Sequence, residues 1–431
     1  MDYNIQLYEK LYSKIATALG INTPIDEVKL GEPLLSLYNP GQYIPTGLSP
    51  ETKPEDNRRI SQMFDTASRF DTTYSPVALP VSVAYKNILD YKLFPLATIT
   101  KEQQLKLEQA IVSYNSSKDR CDAAMYRYLY ASDVLNEAII SHENDHSKPM
   151  PSSRIKMQAK AAMDTWIAAG KVKQEFNIAV IAQYQAMEGA SFWQKLQDQF
   201  DSNQAKLENG IQFSPVTMTP SYKNWHKEEG WIKFEFNQKD MDNQRTCISI
   251  YEAGTLDPNY GIMYINGKDS WHNGYTKIQE TNLTIKCELM RVTLTRPWMN
   301  PLLFNSKAWK FAQNAPAAKY SSGGSIYEGI KPTGSFVTLP TTYILARNVE
   351  IFGIFGDTLE ETLRTNVEAS ATVGIGPFSI SGKVIYGDTE EKIKGSITKN
   401  SIKIDNIQVI ASISQILPKL PNPDPNLSWP Q

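Results

Sequence analysis

His142-Glu143-Asn144-Asp145-His146 places two imidazoles four residues apart with a carboxylate between them. On a helix this spacing brings both rings to one face, where they can share a divalent metal while the Glu takes a proton from a bound water. Metal-assisted hydrolysis is therefore the first chemistry to weigh. Its surroundings argue for a plainer role, because Pro149 and Pro151 follow at once and a helix cannot continue through them. At a helix end the protonated imidazoles suit the negative pole of the backbone dipole, and no third ligand follows from spacing.

Over these five residues the chain resembles the zinc metalloproteases, which implies His142 and His146 as ligands and Glu143 as general base. It departs from them at the charged Asp145 and at the two prolines. A zinc hydrolase is kept as a third reading. The leading assignment has no metal, no cofactor and no enzymatic activity. Cys121, Cys247 and Cys287 are far apart in no metal spacing and read as buried small hydrophobes.

The other two histidines, His226 and His272, sit in aromatic stretches, SYKNWHKEEGW and INGKDSWHNGY. Trp225, Trp231, Trp271 and Tyr275 are candidate ligand or interface aromatics, since a flat ring packs on the C–H faces of a sugar or at a membrane surface while its polar edge stays wet. The plainer reading closes the ends of a β-sandwich core with them. Arg296-Pro297-Trp298 ends a strand and, with Leu302, Leu303 and Trp309, supplies core anchors. SSGGS at 321–325 lacks the lysine of a phosphate loop and reads as a turn. Neither G-x-S-x-G nor C-x-x-C occurs, and no carboxylate pair is singled out by spacing.

One stretch carries physical rather than catalytic chemistry. VEASATVGIGPFSISGKVIY, 367–386, alternates apolar and polar residues on both sides of Gly376-Pro377. A two-residue turn there pairs Ile375 with Phe378, Val373 with Ile380, Ala371 with Gly382, Ala369 with Val384 and Val367 with Tyr386. These lie on one face. Ser379, Ser381, Lys383 and Thr372 lie on the other. A strand of about 9 to 11 residues with that pattern suits a bilayer crossing, and it equally suits a sandwich hairpin with one wet face. The candidate membrane hairpin is thus Val367, Ala369, Ala371, Val373, Ile375, Phe378, Ile380, Val384 and Tyr386.

The elements that must position these residues follow from periodicity. In MDYNIQLYEKLYSKIATALG, Tyr8, Leu11, Ile15 and Ala18 form one helical stripe closed by Gly20, without the pattern of a secretory signal. Residues 21–97 read as a Pro/Gly-rich arm that bridges the later parts, with a short helix near Glu55–Ser68. Thr100 and Gln103 form a capping box. From it Leu107, Ile111, Tyr114, Lys118, Cys121, Met125, Tyr128, Ser132, Leu135 and Ile139 trace a long helical seam with polar members. A second long helix follows the prolines, its stripe running through Trp166, Ala169, Phe176, Val180, Tyr184 and Met187. Beyond Gly210 the pattern is that of an all-β domain, with strands at 231–236, 247–252, 283–295, 342–352 and from 367.

The expected fold is α+β and multidomain: residues 1–97 as helix and arm, 98–214 as a long antiparallel helical hairpin completed into a bundle by the first helix, 215–417 as an antiparallel β-sandwich, and 418–431 as a Pro-rich tail. Of 431 residues 41% are hydrophobic and 21% charged, and the formal net charge is −2, so nothing draws the chain to nucleic acid. The functional expectation is a non-enzymatic, pore-forming, toxin-like virulence protein. It is soluble when made, without a classical signal peptide, and is released or exported to act outside the cell. It changes conformation on a target membrane or receptor and assembles as a homo-oligomer. The alternative is a structural or interaction protein whose β-domain binds a protein or glycan.

Overall fold

The structure, a computed structural model, describes residues 3–21, 33–71, 79–95, 100–144, 149–187, 190–243, 263–266, 275–276, 283–316, 319–324, 331–353, 357–368, 371–386, 389–398 and 400–430. In chain order the described helices are α1 (Tyr3–Ala18), α2 (Pro54–Phe64), α3 (Val81–Tyr91), α4 (Lys101–Asn144), α5 (Ser153–Ala168), α6 (Lys171–Met187), α7 (Ala190–Ser202), α8 (Gln238–Asn243) and α9 (Asp357–Glu368). The strands are β1 (Pro33–Tyr43), β2 (Lys92–Leu93), β3 (Ala205–Lys206), β4 (Gln212–Phe213), β5 (Thr217–Thr219), β6 (Ile232–Phe236), β7 (Met263–Asn266), β8 (Tyr275–Thr276), β9 (Thr284–Thr295), β10 (Lys310–Phe311), β11 (Thr338–Phe352), β12 (Thr372–Ile375), β13 (Phe378–Tyr386), β14 (Thr389–Lys394), β15 (Ser396–Ile397), β16 (Ser401–Ile404) and β17 (Gln408–Ile416). The chain is α+β with antiparallel sheets.

β11 organises the main sheet, pairing with β17, β16 and β9, while β5 and β6 pair onto β9. Its apolar residues point both ways: Ile344 and Ala346 enter one core, Tyr343 and Leu345 another. β9 divides the work along its length. Ile285, Cys287 and Leu289 face the first core, and Met290, Val292 and Leu294 face the second. A sheet covered on both faces needs apolar residues in both registers, which is why TYILARNVEIF is not a clean alternation.

β1, from the arm, pairs antiparallel with β17, so an early strand and a late one close the same edge. Its register shifts between Leu37 and Gln42, and the intervening residues bulge from the ladder. The CISIYE run at 247–252 lies outside the described residues.

The second sheet has the order β14-β13-β12-β7-β8. Met263, Val373, Ile375, Phe378, Ile380 and Ile393 enter the same core as the main-sheet residues Ile285 and Ile351. α1 is held there too, by Leu7, Tyr8, Leu11 and Ile15, and Tyr12 donates its hydroxyl to the Leu35 carbonyl at 3.0 Å. The stripe of the first helix is therefore spent on the β-body. A third core gathers Tyr85, Phe200, Trp298, Trp309, Phe336 and the tail residue Leu420, whose neighbourhood ties the Pro-rich end to Ser321 by a β-bridge.

Candidate functional site

The hairpin stretch forms a turn at Gly376-Pro377, with φ of 54° at Gly376. Positive φ followed by the fixed negative φ of proline is the sign pattern of a II′ turn, whose twist matches paired strands. Ile375 pairs with Phe378 and Gly374 with Ser379, but the next pair is Val373 with Ser381. The expected Val373–Ile380 pair is thus replaced, because Ile380 is the extra residue of a bulge and its carbonyl accepts instead from the Gly395 N–H at 2.7 Å. Of the pairs expected farther from the turn, Ala371–Gly382 and Val367–Tyr386 do not form. β12 begins only at Thr372, and Val367 lies in the last turn of α9, where it is buried. Ala369 lies outside the described residues. Val384 and Tyr386 are placed by backbone alone, opposite Glu391 and Thr389 of β14.

Both faces of this hairpin are covered. Val373, Ile375, Phe378 and Ile380 have no solvent exposure, and Ala371 is buried beside them. On the Ser/Thr face, Ser379 and Ser381 are buried as well. Their polar groups are served by protein: Gln408 Oε1 accepts from the Ser379 N–H at 2.6 Å, Tyr43 donates its hydroxyl to the Ser379 carbonyl at 2.7 Å, and Ser381 Oγ donates to the Ala371 carbonyl at 2.7 Å. Burial pushes the Tyr43 phenol well above its usual range, against the smaller opposite effect of its bond to Ser379. The bulge of β1 makes room for the turn. A Cβ on Gly41 would lie 2.5 Å from the Pro377 carbonyl oxygen, and one on Gly374 would lie 2.4 Å from Pro40 Cβ. Around Ser379 and Ser381 the expected wet face is therefore a second packing face, docked on β1 and β17, while Lys383 stays exposed.

The long helices bury polar and apolar side chains together and expose other apolar ones. α4 and the α5–α6 segment pack side by side in opposite directions: Leu107 clusters with Ile181, Asn177 Nδ2 donates to Ser113 Oγ at 3.0 Å, Gln174 Nε2 donates to Ser117 Oγ at 2.7 Å, and the Tyr128 and Trp166 rings stack with centroids 5.4 Å apart. Ser117, Gln174 and Asn177 are buried, and Gln174 Oε1 has no hydrogen-bond partner. Lys118 and Phe176, expected in the seam, are exposed. Ser117 occupies the expected place of Lys118 because a true helix drifts from a 3.5-residue repeat. The second helix is broken at Gly170, with φ of 111°, so a stripe drawn continuously through Trp166 and Phe176 loses phase. Among the described residues, Val112 is 67%, Val172 65% and Phe176 67% exposed, and Leu105, Met157 and Ile167 are exposed with them.

His142 and Glu143 fall in the final turn of α4, and His146 lies outside the described residues. Among the described residues no three His, Cys, Asp or Glu gather into a metal-holding group. Trp225 is fully buried, its indole N–H donating to the Pro220 carbonyl at 2.8 Å, so neither ring face is open. Trp231 is covered on one face by Arg347, whose guanidinium carbon lies 4.4 Å from the ring centroid and which also pairs with Glu288 at 2.6 Å. Trp271 lies outside the described residues, and Tyr275 is placed in β8 by backbone alone.

The chain matches no family model, no curated protein and no solved structure. The polar seam is readable as Gln174, Asn177 and Ile181 at helical spacing against Ser113 and Ser117. A groove between α2, α3, α7 and β4 had no signal in the linear order, since its walls come from segments more than a hundred residues apart.

Proposed function

We propose that this protein is a non-enzymatic, membrane-active protein of the pore-forming, toxin-like kind, which docks on a target membrane, changes conformation and assembles there as a homo-oligomer. The observation that carries the reading is the helical pair, whose seam buries amides and hydroxyls beside Leu107 and Ile181 while Val112, Val172 and Phe176 are exposed. In water the exposed apolar side chains gain nothing from burial, and the unpaired Gln174 Oε1 costs about 1 to 3 kcal/mol. At a lipid surface the outer side chains each gain roughly 1 to 2 kcal/mol from burial of their exposed parts, and the seam hydrogen bonds lose their competition with water.

Among the described residues no helix is long and apolar enough to cross a membrane. The reading therefore assigns α4, α5 and α6, as an antiparallel hairpin over 98–214, to surface binding, and assigns the crossing element to 367–386 of a sandwich-like β-domain over 215–417. Extending β12 to a bilayer-spanning strand requires α9 to unwind and carry Val367 out of the core. Four fully buried apolar side chains hold the hairpin in place, at roughly 1.5 to 3 kcal/mol each, so lipid contact has to replace that burial.

Dye release and flotation with liposomes of zwitterionic and of mixed anionic lipids, at neutral and acid pH, test the proposal. The full chain is expected to bind and release dye. Val172→Glu with Phe176→Glu is expected to abolish flotation while leaving the melting temperature unchanged. A disulfide engineered between the paired positions Val373 and Ser381 is expected to block leakage until reduced. Absence of binding under all conditions, or leakage indifferent to both changes, refutes the proposal. The alternative of a β-domain binding a protein or glycan through its tryptophans lacks an open ring platform at Trp225.

A further inference from the structure

A cavity of about 630 Å³ opens between the C-terminal end of α2, the exposed side of α3, the end of α7 and the short strand β4. This is within the roughly 300 to 1,000 Å³ of small-ligand sites. Its floor is firm. Phe200 packs against Tyr85 and Trp298 with ring centroids 6.1 and 5.8 Å apart, and Gln199 donates to the Pro297 carbonyl at 2.9 Å.

The walls carry amides and carboxylates rather than a charged cluster. Asp65 is already committed, accepting from the Ser82 N–H at 2.9 Å and from the Ser82 hydroxyl, so it holds the start of α3. Lys86, the cation of the lining, pairs with Asp90 at 2.7 Å. Gln204 is largely engaged, accepting from Ser214 at 2.9 Å and donating one N–H to the Phe200 carbonyl at 3.0 Å. Among the lining side chains, the exposed Gln62, Asp201 and Gln212 keep capacity. Gln62 accepts from Arg58 through Oε1 at 3.0 Å, which leaves its two N–H donors. Asp201 accepts from Gln197 through Oδ2 at 3.0 Å, which leaves Oδ1. Gln212 is engaged through its backbone in β4, which leaves its whole side-chain amide.

That inventory selects a chemistry. An anionic ligand meets two carboxylates and a lysine already neutralised by Asp90, so charge opposes it. A purely apolar ligand would strip water from the amides and carboxylate without replacing their hydrogen bonds, at about 1 to 3 kcal/mol per group. A neutral ligand bearing adjacent hydroxyls satisfies all three groups: hydroxyls donate to Asp201 Oδ1, accept from Gln62 Nε2, and do both with the Gln212 amide, while its C–H faces lie on the exposed Val83 and the edges of Phe200 and Phe213 that reach the groove. We infer that the α2–α3–α7–β4 groove is a binding site for a neutral carbohydrate.

This inference does not rest on the membrane reading, because the liposomes above carry no sugar and the test below uses no lipid. The full chain is applied to an array of immobilised neutral and anionic glycans, and binding is then measured in solution with the free neutral oligosaccharide retained best. Gln212→Ala and Asp201→Asn alter exposed side chains and are checked for unchanged melting temperature. Retention of at least one neutral glycan, weakened tenfold or more by each substitution, is the expected result. Retention of no neutral glycan, selective retention of anionic glycans, or binding unaffected by both substitutions overturns the assignment.

Discussion

Gln408→Leu tests how the buried hairpin is held. Gln408 has no solvent exposure, and its Oε1 is the acceptor for the Ser379 N–H at 2.6 Å. Leucine removes that acceptor without opening a path for water, so a buried donor is left bare at a cost of about 1 to 3 kcal/mol. The Ser379 carbonyl stays served, because Tyr43 still donates to it at 2.7 Å. Tyr43→Phe removes that second contact and alone costs about 0.5 to 1.5 kcal/mol. Since both side chains hold the backbone of one residue, Ser379, the double variant should depart from additivity by about 0.5 kcal/mol or more. Urea denaturation followed by tryptophan fluorescence gives the free energies, and hydrogen exchange at Phe378–Ser381 shows whether the loss is local. A Gln408→Leu cost below about 0.5 kcal/mol with unchanged exchange at Ser379 refutes the view that this clamp seats the turn.

Gly41→Ala should be destabilising by about 1 to 3 kcal/mol, because its new methyl lies 2.5 Å from the Pro377 carbonyl oxygen and 2.9 Å from that of Val409, both backbone atoms; thermal melting measures it, and a neutral result means β1 can shift. Burial raises the Tyr43 phenol in the folded state, so its contribution is fully present below the ordinary value of 10.0 and is lost as pH rises above it. Wild type should therefore lose stability relative to Tyr43→Phe in alkaline urea titrations. Burial also raises Asp65, against the opposing bonds from Ser82, so its contribution is present at acid pH and falls as pH climbs through the folded value. Asp65→Asn should remove that acid-range slope from the difference curve. In the helical seam, Ser117→Ala combined with Gln174→Leu should change stability by no more than about 1 kcal/mol in chemical denaturation, because it removes both partners of one bond and a buried unpaired Oε1 but also the donor to the Tyr114 carbonyl at 2.9 Å.

Local rules explain what was legible without a fold. The capping box at Thr100 is present in both directions, Thr100 N–H to Gln103 Oε1 at 2.8 Å and Gln103 N–H to Thr100 Oγ1 at 3.2 Å, and Gly20 takes the positive φ expected of a helix stop. Strong apolar runs marked β6, β9 and β11 to within a few residues. α3 was missed because VSVAYKNILDY follows prolines and carries β-branched residues, and its helix is secured by tertiary contacts of Tyr85, Ile88 and Leu89. β1 was missed as a strand because LLSLYNPGQY holds proline and glycine, which a β-edge tolerates when it bulges.

The sequence by itself determined the α+β class, the long helical segments and a turn at Gly376-Pro377, since these follow from periodicity and backbone chemistry within a few residues. Only the tertiary structure decided which faces meet water. Alternation says that a strand has two unlike faces, but whether the Ser/Thr face is wet depends on what lies across from it, and here Tyr43 and Gln408, from opposite ends of the chain, supply the hydrogen bonds that let it be buried. In the helices the same logic ran the other way. Paired amides and hydroxyls share the seam with Leu107 and Ile181, and Val172 and Phe176 are left outside.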